Sequence, residues 1–125
     1  AYQQDNLPAF WSRDSGLNAP LRVDDVDEIV TFMQARQSLQ LEGGVLIANP
    51  VPEKSEIPQQ EMATIIAQAI KESQQAGITG KSVTPWLLGR IVELSDGRSL
   101  ITNQALINNN ASLAAQLAVI VRSAM

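Results

Sequence analysis

The chain contains no cysteine and no histidine, and only 4% of its residues are aromatic. Without cysteine there are no disulfides and no thiolate nucleophile, and the ordinary zinc ligand sets are missing as well. Without histidine there is no imidazole base, so acid–base chemistry falls to Asp, Glu, Lys or Tyr. Basic residues are outnumbered: nine Lys and Arg face thirteen Asp and Glu, a net charge of −4. A chain with this balance lacks the basic face that nucleic acid or an anionic membrane requires, so neither is an expected partner. Nowhere does an uninterrupted apolar run approach the ~20 residues of a membrane span; the apolar final segment is broken by Gln116 and Arg122. The lack of cysteine fits a cytoplasmic protein. The first residues, Ala1-Tyr2-Gln3-Gln4, show neither an initiator Met nor a signal pattern. They read as the interior of a longer polypeptide.

What is present suits one ordinary domain of 125 residues, 45% of them hydrophobic. The one short apolar run bounded by turn residues is Gly43-Gly44-Val45-Leu46-Ile47-Ala48-Asn49-Pro50. It predicts a strand buried on both faces, as in a parallel or mixed sheet. Asn49-Pro50 forces an extended or turn exit. Ligands gather beyond the carboxyl ends of such strands, which marks Asn49 as a candidate contact. The other patterned segments predict helices. Asp25 is placed to cap Glu28 and open a helix reaching about Leu39. Pro58 suits the first turn of a second, with Met62, Ile65, Ile66, Ala69 and Ile70 as its apolar stripe and Gly77 as its stop. Thr84-Pro85 predicts the cap and first turn of a short, well-buried third helix, ended by Ser95-Asp96-Gly97. The last helix is expected from near Ser99 almost to the end.

That last helix is rich in asparagine, a mediocre helix former. At 100° per residue Asn103, Ile107, Asn110 and Leu117 share a stripe, which predicts that Asn103 and Asn110 point inward. A buried carboxamide must hold a backbone group, another side chain or a ligand. Asn108 and Asn109 point elsewhere and read as solvated. Two further features remain open between an ordinary and a functional reading. Gly80-Lys81-Ser82-Val83-Thr84-Pro85 is either a capped helix start or a phosphate cradle at a helix N-terminus. Arg13, the one cation in its loop, is either a surface charge or an anion contact. Glu53 and Glu56 flank Lys54 in a charged loop without acid–base spacing. No metal-ligand cluster stands out.

Four ordered blocks carry a resemblance. They are Leu7-Pro8-Ala9-Phe10-Trp11-Ser12-Arg13-Asp14-Ser15-Gly16, Gly43 through Glu53, Gly77 through Leu88, and Asn103 through Ala111. Together they resemble the carboxy-terminal part of the pseudouridine-5′-phosphate glycosidases, the indigoidine synthase A-like family. The resemblance implies an α/β fold: residues 1–125 would be the C-terminal portion of a single domain, a three-layer α/β/α sandwich, this piece being mostly helical around one buried strand. It also implies cleavage of the C–C glycosidic bond of pseudouridine 5′-phosphate to uracil and ribose 5-phosphate. The family uses a lysine Schiff base, a glutamate acid/base and a divalent cation, typically manganese, held by an aspartate. Those groups belong to the amino-terminal half, whose motifs are missing from these residues; Lys54, Lys71 and Lys81 do not sit in the nucleophile's context. The resemblance further implies a homotrimer and an active-site asparagine from the final helix. Asn103 matches best, with Asn109 and Asn110 next; Asn49, Lys81 and Arg13 fall in shared blocks as substrate contacts. Asn108 departs from the charged residue of many relatives. A non-catalytic helical interaction or regulatory module derived from the same fold is the alternative.

Overall fold

The computed structural model describes residues 1–124. Four helices dominate: α1 (Val26–Ser38), α2 (Gln59–Gln75), α3 (Val83–Leu94) and α4 (Arg98–Ala124). Short 3₁₀ turns at Glu53–Ser55 and Gly80–Ser82 precede α2 and α3. α2 packs on α3, and α1 packs on α4.

The start of α1 follows the sequence closely. The Asp25 side chain accepts the Glu28 amide at 2.8 Å. Glu28 reaches back, although to the amide of Asp24 rather than of Asp25, at 2.6 Å. Ile29 and Val30 turn inward. α2 begins one residue after Pro58, and Met62 and Ala69 of its expected stripe are buried, while Ile70 is 40% exposed. Gly77, at φ +68°, takes the left-handed conformation that ends α2, and the Ile78 amide closes the turn on the Ser73 carbonyl at 3.0 Å. Ile57, Met62, Ala69 and Ile91 form the apolar centre between α2 and α3, with Trp11 against it. Arg90 of α3 pairs with Glu72 of α2 and Glu93.

Three expectations need correction. The first concerns the Gly43–Pro50 run: among the described residues it forms no strand, and Leu46 is 93% exposed. A strand is defined by a ladder, and here the segment receives one backbone bond from another part of the chain, from the Tyr2 amide to the Ala48 carbonyl at 3.0 Å. The other pairings are single bridges, Tyr2 with Val23 and Asn6 with Asn18. The run is therefore an extended ribbon, open on one side, not a strand buried on both faces.

Second, α3 begins at Val83, so Thr84 lies inside its first turn instead of capping it, while Pro85 falls in that turn as expected. The Gly80–Ser82 turn feeds straight into the helix, and no side chain caps it. α3 is also less buried than its composition predicts: Ile91 is buried, but Leu88 is 45% exposed. α2 supplies most of its partner surface, with smaller contacts from the Gly80–Ser82 turn and α4.

Third, the inward face of α4 is Ser99, Thr102, Leu106 and Leu113, not the Asn103–Ile107–Asn110 stripe. Ile107 is 57% exposed, and Asn110 is exposed. Apolar residues occur on every side of this helix, so periodicity alone does not set its phase.

Candidate functional site

The loop that leaves the ribbon runs along α4 and is fastened to it by side chains that grip backbone carbonyls. Asn109 donates Nδ2 to the carbonyl of the buried Pro50 at 2.9 Å. Thr102, seven residues earlier in α4, donates its hydroxyl to the Ser55 carbonyl at 2.7 Å. Two residues a heptad apart share one helix face and are separated by about 10 Å along the axis. That spacing suits the six residues from Pro50 to Ser55, the last three in a 3₁₀ turn, laid antiparallel to the helix. Beside this seam, Asn49 donates Nδ2 to Oδ1 of Asn110 at 3.0 Å.

Arg13 arrives from the opposite side. Its guanidinium donates to the Val51 carbonyl at 2.8 Å, and its own amide donates to Glu56 at 3.0 Å. The adjacent Ser12 is buried and donates its hydroxyl to the Ile57 carbonyl at 2.5 Å, while the Ile57 amide returns a bond to Trp11 at 2.9 Å. The Leu7–Gly16 loop is thus tied to the segment that follows the ribbon, and Val51 and Ile57 within it are almost fully buried.

These contacts shape a polar cleft of about 120 Å³ lined by Tyr2, Arg13, Asn49, Asn109, Ser112 and Gln116, among others. Four of the residues singled out from sequence therefore meet here: Arg13, Asn49, Asn109 and Asn110, the last through its bond to Asn49. Asn109, which reads as solvated in the sequence, is the amide that satisfies a buried carbonyl. The signal that finds it is the buried Pro50 carbonyl that it holds, which is invisible to helical periodicity.

Asn103 and Lys81 lie elsewhere. Asn103 is half-buried, on a second cleft of about 260 Å³ with Phe10, Trp11, Leu88, Val92 and Ser99. It follows Thr102 directly, so it stands beside the same seam, about 10 Å up the helix from Asn110 and within 20° of it in phase. The Phe10 and Trp11 rings meet edge-to-face at 4.8 Å on this cleft. Lys81 is exposed in the turn before α3 and lines neither cleft.

Among the described residues no three carboxylate, His or Cys side chains stand together as a metal site, so the divalent cation that the resemblance implies has no ligand set among them. No helix among them is long and apolar enough to cross a membrane.

The family model described as indigoidine synthase A like protein matches residues 1–120, and the chain belongs to that family. Its relatives carry a more particular name. The chain is 57% identical over 123 residues to the pseudouridine-5′-phosphate glycosidase of Methylobacterium nodulans, covering 98% of this chain and 36% of that protein. It is 58% identical over 118 residues to that of Solibacter usitatus, covering 94% and 40% respectively. Its fold is similar to the crystal structure of an indigoidine synthase A-like protein from Thermotoga maritima, with a TM-score of 0.81, 35% identity, and 96% and 39% of the two chains covered. It is also similar to a prealnumycin C-glycosynthase in complex with ribulose 5-phosphate, with a TM-score of 0.73, 26% identity, and 98% and 41% covered. The chain thus spans well under half the length of these relatives.

Proposed function

We propose that the chain is the carboxy-terminal part of a pseudouridine-5′-phosphate glycosidase, a C–C glycosidic bond being cleaved to give uracil and ribose 5-phosphate. The observation that carries this reading is the identity of more than half to relatives of that name along nearly the whole chain. The neighbour that holds ribulose 5-phosphate supports a phosphosugar as the ligand class. In this reading residues 1–125 complete one domain, an α/β/α sandwich whose sheet gains the open ribbon as a strand once the rest of the polypeptide is present. The lysine nucleophile, the glutamate acid/base and the aspartate that holds manganese come from that other part. The assembly is a cytoplasmic homotrimer.

The contribution of this chain is one wall of the pocket. A cleft of about 120 Å³ is smaller than the roughly 300 Å³ at which ligand pockets begin, so the wall needs an opposite face. Asn49 and Asn109 offer carboxamides, and Arg13 a guanidinium, to sugar hydroxyls and phosphate oxygens. Asn103 contacts the substrate from the adjoining cleft, two turns earlier in α4. Lys81 supplies a more distant positive charge.

The test uses the complete polypeptide with manganese and pseudouridine 5′-phosphate, reading uracil release. Turnover is expected. Asn103→Ala is expected to lower kcat by about 10²-fold, the size of effect seen when one positioned donor is removed from an active site. No uracil from the complete protein would sink the assignment. An unchanged rate in the variant would remove Asn103 from the site.

A further inference from the structure

We infer that Ser99 is a positioning residue for the Asn103 carboxamide. This rests on the reading above that Asn103 contacts substrate. Three observations carry it. Ser99 is 2% exposed, and its Oγ is the buried side-chain polar atom left without a hydrogen-bond partner among the described residues. Buried hydroxyls in folded proteins are satisfied almost without exception, so an orphan calls for a reason. Asn103 lies four residues further along α4, one turn on and on the same face, and both residues line the Phe10–Trp11 cleft. Finally, the same helix makes a carboxamide-to-serine bond at the same spacing elsewhere: the longer side chain of Gln116 donates Nε2 to the hydroxyl of Ser112, four residues earlier, at 3.4 Å.

Ser99 is held where the contact requires it. Its backbone amide donates to the Ser95 hydroxyl at 3.1 Å, so the first turn of α4 is closed by Ser95 and the Ser99 side chain is spared from capping. When substrate fills the cleft, Asn103 turns its amide NH₂ back onto Ser99 Oγ. Its carbonyl oxygen then points away from the helix toward a donor on the substrate, such as a ring N–H or a sugar hydroxyl. Ser99 therefore selects which end of the carboxamide faces the ligand, a choice that the Phe10, Leu88 and Val92 side chains cannot make.

A residue kept unpaired for this purpose has a signature that a structural serine lacks: its removal harms the rate and not the fold. In the complete polypeptide, Ser99→Ala is expected to lower kcat about tenfold with KM changed less than about twofold. The same variant is expected to melt at the wild-type temperature or up to about 2 °C above it, since an unsatisfied buried hydroxyl is lost. In the Asn103→Ala background the further change in kcat from Ser99→Ala is expected to be less than about twofold, because the two residues act as one unit. An unchanged kcat in Ser99→Ala, or the same tenfold loss without Asn103, would overturn the inference. A melting temperature several degrees lower would do so too, by showing a structural bond at Ser99. If Asn103→Ala itself keeps full activity, the fault lies with the parent reading of Asn103. If Asn103→Ala is impaired and Ser99→Ala is not, only the role of Ser99 falls.

Discussion

The α2–α3 pair and the seam between α4 and the Asn49–Ser55 segment are held together by opposite means. Between α2 and α3 the central contacts are apolar and non-directional: Ile57, Met62, Ala69 and Ile91 are nearly free of solvent, and the Arg90–Glu72 ion pair lies at their edge. Along the seam the contacts are single hydrogen bonds from Thr102, Asn109 and Arg13 to carbonyls of the loop. Burial provides most of the stability, because it scales with area and tolerates small shifts. Hydrogen bonds add little net energy, but they set atoms to within tenths of an ångström. The first region therefore carries the fold, and the second carries the geometry a ligand would meet.

Substitutions on either side can break this division. The largest stability effect is expected for Ile57→Ala, which empties a site that is 1% exposed; the cost is about 2–5 kcal/mol in denaturant unfolding. A loss below about 1 kcal/mol there would show that the α2–α3 centre is not the main source of stability. Asn109→Ala should follow at about 1–3 kcal/mol, since the buried Pro50 carbonyl loses its donor. Asn110→Ala, at an exposed position, should stay within about 0.5 kcal/mol. Equal effects at the two positions would erase the distinction drawn between them.

The smallest effect belongs to Glu72→Gln and should depend on pH. The hydrogen bond from Arg90, then that from Gln68, holds the Glu72 carboxyl below the usual glutamate range. Its folded pKa is thus depressed, so its contribution is present above the unfolded value of about 4.3 and is lost as pH falls through the folded value. The melting-temperature gap between wild type and variant should be open at pH 7 and close below about pH 4. A gap that stays constant from pH 7 to pH 3 would show that the carboxylate charge is not what joins α2 to α3.

Much of the helical part was legible because its signals are local. Asp25 and Glu28, Pro58, Gly77 and Asp96-Gly97 act on their own backbone, and each marks a boundary within a residue or so of the one observed. The ribbon was misread because a strand is a property of two segments, and Val45 to Ala48 carry no information about who pairs with them. The phase of α4 was misread by about one residue for a similar reason. Leu100, Ile101, Leu106 and Ile107 present apolar surface all round, and the choice of Thr102 and Leu106 as the inner face is made by α1 and the Pro50–Ser55 loop. The candidate site was half legible. The residue types and the neighbourhood of Asn49 and Arg13 could be named, whereas the tie from Asn109 to Pro50 depends on a carbonyl that only folding buries.

The ribbon has a practical consequence. Leu46, 93% exposed, sits in a stretch that makes one backbone hydrogen bond to another segment, at Ala48, and that carries no charge from Gly43 to Pro50 to deter a neighbour. Such an edge is a template for joining like to like. Produced by itself, this chain should gather into β-rich deposits that bind thioflavin, and replacing Leu46 with lysine should keep it dispersed.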